Sequence, residues 1–200
     1  YMGRLVDWKR VDLLLRAFAL SSARIRMRLA VIGSGAEEPA LRDLAHKLNV
    51  WAPDDASPGV AFAGWLSQAQ CAEQLRDSDC LVLPSILECG GVVVLESMVK
   101  GNPVIATGWS GNMAFMDAAS AALVGYRLVP AEDPRHVYEG ASWAEPDHAE
   151  AVAHLRRLAD DAAAGGELCA CGREGALEEG NQARLDGQRG PMRPVAKSRK

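Results

Sequence analysis

The chain has 200 residues, 48% hydrophobic and 24% charged, a composition that supports a buried core and favours one folded domain. Its formal net charge of -4 supplies no global basic field, which argues against a nucleic acid or an anionic membrane surface as the main partner. The 5 cysteines are odd in number and lack C-x-x-C spacing, so neither a disulfide framework nor a zinc site is signalled and reduced thiols are expected.

No apolar run nears the roughly 20 residues that a membrane helix needs, and the opening "YMGRLVDWKR" has no signal-peptide pattern, so a cytoplasmic protein is expected. The first helix is predicted from Val11 onward, where Val11, Leu14, Leu15, Phe18 and Ala19 form one apolar stripe. "LAVIGSG" (29–35) is continuously apolar and reads as a strand buried on both faces. "EEPALRDLAHKLNV" returns to helical spacing, "VAFAG" (60–64) to strand, and "QAQCAEQLRDSD" to helix. "CLVLPS" (80–85) is the next buried strand, "GGVVVLESMVKG" the helix after it, and "PVIAT" (103–107) a further strand.

The alternation with short connections predicts right-handed βαβ units, hence an α/β fold with a Rossmann-like doubly wound parallel sheet. Ligands of such sheets sit beyond the carboxyl ends of the strands. "GWSGNMAF" (108–115) reads as a loop opening a helix, with Ser110 or Asn112 as its cap. After Val129 the run "PAEDPRHVYEGASWAEPDH" is rich in Pro, Gly and acid and reads as a loop, with Trp143 expected to pack a last helix, from about Asp147 to Asp161, against the sheet. From Gly165 onward large apolar residues are too sparse to offset ordering, which predicts a mobile tail. The division is therefore a folded domain over 1–164 and a tail over 165–200.

The chemistry concentrates in "LPSILECGGVVVLESM" (83–98). Glu88 falls in the strand-to-helix loop at the ligand end of the sheet, and Glu96 lies about one and a half turns into the helix. Gly90 and Gly91 allow a ligand to approach the helix start, where free N–H groups and the dipole favour a phosphate. Two carboxylates at different depths accept hydrogen bonds from hydroxyls, as a sugar and a ribose flanking a diphosphate would offer. Among Val94, Leu95 and Met98, a buried Glu96 without a partner is costly. Arg4 and Lys9 precede a helix start, where cations are disfavoured unless an anion is also present. Gly33 and Gly35 form only part of a dinucleotide fingerprint: the third glycine is missing, which argues against an oxidoreductase. Cys89 reads as a small buried residue rather than a nucleophile. The four histidines, His46, His136, His148 and His154, are scattered and receive no role, and no metal site is predicted.

Taken in order, "GRLVDWKRVDLLLRAF", "LAVIGSGAEEPALRDLAHKL", "VAFAGWLS", the E-x(7)-E pair after L-P-S, and "GNPVIATGWSGN" resemble the donor-binding C-terminal half of retaining, GT-B fold glycosyltransferases of family 4, the glycosyl transferases group 1. The resemblance covers roughly Tyr1 to Ala159. It implies that Arg4 and Lys9 neutralise the donor diphosphate, that Glu88 binds hydroxyls of the transferred sugar, and that Glu96 binds the ribose. Gly90 and Gly91 would approach the phosphates and sugar; Gly33 and Gly35 would leave room for phosphate or backbone. The donor implied is a nucleotide diphosphate sugar, with no further cofactor, and the reaction is transfer of a hexose to an acceptor glycan, lipid or other hydroxyl. Glu88 is followed by Cys-Gly-Gly rather than the commoner Gly-Phe-Gly, which leaves the sugar preference open. The chain opens inside the first strand of such a domain, so an N-terminal acceptor domain is expected outside it, on another chain or lost by truncation. The alternative function is a non-catalytic nucleotide-sugar-binding module or a truncated remnant that lacks its acceptor domain.

Overall fold

The computed structural model describes residues 1–22, 27–52, 58–114, 116–131 and 138–160. The tail over 165–200 with Cys169 and Cys171, and also Phe115 and His136, lie outside the described residues.

A short 3-10 turn, Asp7–Lys9, ends on Arg10 in the left-handed conformation (φ 46°), and helix α1 (Val11–Ser22) starts directly after it. A side chain in that backbone region is uncommon and costs free energy that its surroundings must offset. Arg10 is held there by ion pairs to Asp12 (3.1 Å) and to Glu145. Strands β1 (Arg28–Ile32) and β2 (Gly59–Gly64) flank α2 (Glu38–Lys47) and pair in parallel from Arg28 opposite Gly59 to Val31 opposite Phe62. Helix α3 (Gln68–Arg76) opens on a capping box: Ser67 accepts from the Gln70 N–H, and Gln70 accepts from the Ser67 N–H (3.0 Å). Strand β3 (Leu81–Leu83), helix α4 (Val92–Lys100), β4 (Val104–Thr107) and β5 (Ala122–Val124) follow, with β4 between β3 and β5, all parallel. Gly91 and Gly101, both left-handed, bound α4.

The parallel strands fall into two hydrogen-bonded groups, β1–β2 and β3–β4–β5. Residues 1–3 lie along β1 through the Met2–Ile32 bridge, and the Ile86 N–H to Trp8 carbonyl bond (3.0 Å) ties the segment after them to the loop beyond β3. Leu5, Leu15, Val31, Val60, Val94 and Val104 are wholly buried in one core, each contributing roughly 1.5–3 kcal/mol over an exposed position. Helix α1 packs on α5 (His148–Asp160) and α2, and α3 packs on α4. The expected α/β, Rossmann-like architecture is therefore present.

The region after β4 differs from expectation. Strand β5 has no counterpart among the predicted strands, and Tyr126–Pro130 (β6), which only Pro130 links to the loop predicted over 130–148, pairs antiparallel with Ser142–Pro146 (β7) inside that loop. Of these ten residues only Ala144 is buried, so the pair has no apolar alternation by which to announce itself. Trp143, expected to pack the last helix on the sheet, sits on β7 opposite Val129, with its ring 6.5 Å from that of Tyr138. No helix of the described residues is long and apolar enough to cross a membrane.

Candidate active site at the carboxyl ends of the strands

The loop leaving β3 carries Pro84, Ser85 and then Glu88 before α4 begins. Glu88 is 12% exposed and its carboxylate meets the Lys9 ammonium, itself 14% exposed, in a direct ion pair. Ser85, buried at the end of the strand, donates a second hydrogen bond to the same Oε2 at 3.2 Å. The 3-10 turn before α1 is what delivers Lys9 to this spot. A cation disfavoured at a helix start thus finds a carboxylate from 79 residues away.

Arg4 lies on the same opening segment, exposed, with a side chain that has no partner among the described residues. Its backbone is fixed instead: the Tyr1 hydroxyl donates to the Arg4 carbonyl at 2.8 Å. Burial pushes the Tyr1 phenol pKa up, and the Glu88 charge pushes it the same way, which places Tyr1 within electrostatic reach of Glu88. Gly33 and Gly35 lie against this segment too. A Cβ at Gly33 would fall within 3.0 Å of the Gly3 carbonyl, and one at Gly35 within 3.0 Å of the Leu5 carbonyl. Hydrogen bonds from Gly3 to Ile32 (2.9 Å) and from Leu5 to Ser34 (3.0 Å) hold the two backbones at that separation. These glycines make room for backbone, and the turn they form stands beside Arg4.

Gly90 and Gly91 occupy the junction into α4. Gly91 is the left-handed N-cap residue (φ 48°), and a Cβ added at Gly90 would meet nothing within 4 Å. The start of α4 is accordingly open beside the Lys9–Glu88 pair. Glu96 lies on the exposed side of α4, whose buried face is made by Val94, Ser97 and Met98, so its carboxylate is not the costly buried charge that its apolar neighbours would make it. It reaches Cys71 of α3 electrostatically: burial pushes that thiol's pKa up, and the Glu96 charge adds to the shift. Cys89 is likewise exposed rather than buried.

Two residues of the site escaped sequence reasoning. Ser85 was read only as the end of a strand, although a serine three residues before a loop glutamate is within reach of its carboxylate. The sequence offers Ser110 or Asn112 as a helix cap; Ser110 does stand directly before the 3-10 turn Gly111–Ala114, its carbonyl accepting from the Met113 N–H at 3.0 Å, but its side chain is engaged with Glu88 instead. Ser110 Oγ accepts from the Glu88 N–H at 3.1 Å and donates to the Glu88 carbonyl at 2.7 Å, while the buried Asn112 donates to the Thr107 carbonyl at 3.3 Å within its own loop. A groove of about 610 Å³ lies nearby, lined by Val6, Asp7, Arg10, Glu37 and Trp143, but none of Arg4, Lys9 and Glu88 lines it. Among the described residues no group of three or more His, Cys, Asp or Glu side chains could hold a metal ion.

Comparison with known proteins adds to this geometry. The family model described as glycosyl transferases group 1 matches residues 1–161. The D-inositol 3-phosphate glycosyltransferase of Kineococcus radiotolerans is 33% identical over 177 residues, 82% of this chain and 36% of that protein. An uncharacterized glycosyltransferase of Methanocaldococcus jannaschii is 31% identical over 113 residues, 56% of this chain and 27% of that protein. The chain thus spans only 27% and 36% of these two relatives. Among solved structures, HepE of Anabaena in complex with UDP and glucose aligns with a TM-score of 0.68 at 16% identity, covering 93% of this chain and 47% of that one. The catalytic domain of cholesterol-α-glucosyltransferase from Helicobacter pylori aligns at 0.65 and 19% identity, covering 90% of this chain and 96% of that one. At such identities the structural likeness shows the fold, that of GT-B glycosyltransferases.

Proposed function

The chain belongs to the glycosyl transferases group 1 family, and on that premise we propose that it is the donor-binding half of a retaining glycosyltransferase. It moves a hexose from a nucleotide diphosphate sugar to a hydroxyl of an acceptor glycan, lipid or other molecule. The observation that carries this reading is the Lys9–Glu88 pair at the carboxyl end of β3, beside the open start of α4 and an Arg4 side chain that has no partner among the described residues.

A diphosphate entering here meets two cations and the N–H groups of a helix start. It competes with Glu88 for Lys9, and the carboxylate so released accepts hydrogen bonds from hydroxyls of the sugar. Gly90, which a Cβ would not crowd, lets the ligand approach the backbone, and the left-handed Gly91 aims the first turn of α4 at it. The exposed Glu96 takes the ribose hydroxyls. Breaking the sugar–phosphate bond builds negative charge on the leaving diphosphate, which Arg4 and Lys9 stabilise as it forms. The leaving phosphate takes the proton of the attacking hydroxyl on the same face, so the configuration is retained and no separate base is required. Acceptor contacts come from an N-terminal GT-B domain. The nucleotide sugar is a substrate, and the scheme calls on no resident cofactor.

Calorimetric titration with UDP-glucose, GDP-mannose and ADP-glucose tests the reading. Saturable binding of one of them, weakened at least roughly tenfold by Lys9→Ala or by Glu96→Ala, is expected, since each removes charge-assisted hydrogen bonds. A folded chain that binds none of the three refutes it.

A further inference from the structure

Ser110 stands at a junction that the donor scheme leaves unused. Its hydroxyl is engaged twice with a single residue, accepting from the Glu88 N–H at 3.1 Å and donating to the Glu88 carbonyl at 2.7 Å. The next residue, Gly111, donates its own N–H to the same carbonyl at 2.9 Å. A Cβ at Gly111 would come to 2.7 Å from that oxygen and to 2.8 Å from the Cys89 carbonyl, so the two loops are in direct backbone contact. The loop after β3 and the loop after β4 are thereby latched together at Glu88, with a serine side chain standing where a backbone bond would otherwise be needed.

Ser110 holds this place at a cost. Its φ is +74°, a region that favours glycine and that a residue with a Cβ enters only when its surroundings require it. Glycine would satisfy the backbone better but has no hydroxyl. The combination of a left-handed backbone and a side chain doubly bonded to Glu88 is accounted for if the hydroxyl is what the position is for.

We propose that Ser110 is the positioning residue for Glu88, fixing the peptide units on both sides of it so that its carboxylate stands over the start of α4 at the depth of the transferred sugar. The inference rests on the reading of Glu88 as the sugar-binding carboxylate. The hydroxyl does not touch the donor; it acts through the Glu88 backbone. Loss of the latch lets the loop from Glu88 to Gly90 sample orientations in which the carboxylate misses the sugar, while the cations that hold the diphosphate stay where they are.

The test is Ser110→Gly, which removes the hydroxyl and relieves the backbone, compared with Glu88→Gln and the double variant. Each protein is titrated with UDP-glucose, GDP-mannose and ADP-glucose and with the free diphosphates UDP, GDP and ADP. Ser110→Gly is expected to melt at or above the parent temperature and to bind the free diphosphate within about twofold of the parent. Its affinity for the nucleotide sugar is expected to fall roughly 5- to 10-fold, the scale of one or two lost hydrogen bonds. The double variant is expected to lose no more than Glu88→Gln alone, because both changes remove one interaction. Amide hydrogen exchange at Glu88 is expected to quicken at least roughly tenfold in Ser110→Gly without a global change.

Equal loss of diphosphate and sugar nucleotide, or no loss of either while Glu88→Gln weakens the sugar nucleotide, overturns the role given to Ser110 and leaves the donor reading intact. Unchanged exchange at the Glu88 amide overturns the latch itself, with or without a ligand. If Glu88→Gln leaves sugar-nucleotide binding untouched, the donor reading of Glu88 fails and takes the inference with it.

Discussion

Replacing Lys9 with methionine tests the ion pair at the centre of the site through stability alone. Lys9 and Glu88 are 14% and 12% exposed, so little water remains to take over from either partner. Removing one member of a well-buried pair costs roughly 3–5 kcal/mol, because the other is left as a buried charge. The residual exposure and the Ser85 hydroxyl at 3.2 Å from Glu88 soften that, and about 2–3 kcal/mol is expected for Lys9→Met. For a domain of this size each kcal/mol moves the midpoint by about 2–4 °C, so Tm should fall by about 4–12 °C. Glu88→Gln leaves the ammonium stranded instead and should cost a similar amount. The double variant buries neither charge and should recover most of the loss, to within about 1 kcal/mol of the parent, giving a coupling energy of about 4 kcal/mol in a urea-denaturation cycle. A coupling below about 0.5 kcal/mol would place the pair in the range of exposed surface ion pairs and refute the reasoning.

Gly35→Ala drives a Cβ into the Leu5 carbonyl and should destabilise the chain by at least about 3 kcal/mol, whereas Gly90→Ala, with open space around it, should stay within about 0.5 kcal/mol of the parent; paired thermal melts distinguish them. Burial pushes the Cys80 thiol up to about 12, so iodoacetamide at about pH 8 should modify the exposed Cys89 in the native protein and leave Cys80 unmodified until denaturant is added, as peptide mapping would show. Hydrogen bonds from the Ser120 hydroxyl, the Ser120 N–H (2.8 Å) and the Ala119 N–H (2.9 Å) hold the Asp117 carboxyl below its usual 3.8. A pKa lowered on folding stabilises the fold above the unfolded value and loses that effect as pH falls through the folded one. The stability gap between the parent and Asp117→Ala should therefore be constant between about pH 5 and 7 and should close below the ordinary carboxyl range; a gap that persists in acid contradicts it.

Strands β1 to β4 were legible because each is a continuous apolar run, the mark of a strand covered on both faces, and α1 to α3 because their apolar residues recur at helical spacing. Helix α4 was legible as an element, but its buried face was not, for a reason visible in its own sequence. Val92 and Val99 are exposed, on the same side as Glu96, so the helix shows apolar residues all round and its buried face cannot be told from spacing alone. The hairpin of β6 and β7 was hidden by prolines and acidic residues, and because almost nothing in it is buried. In the site, Lys9 and Glu88 could be named separately from the residues around them. Their meeting, and the engagement of Glu88 by Ser85 and Ser110, depends on loops that the strand order brings side by side, which no local pattern encodes.

The left-handed Arg10 ties the length of one loop to the identity of a distant residue. Its guanidinium reaches Glu145 on β7, so part of what keeps a side chain in that backbone conformation is supplied by the hairpin. A relative with a plain, short connection between β5 and α5 would have no carboxylate to receive an arginine there, and glycine would then be the residue best suited to the turn. Insertion and substitution should therefore travel together: grafting the hairpin onto such a relative should favour arginine over glycine at the turn, and deleting it here should make Arg10→Gly stabilising.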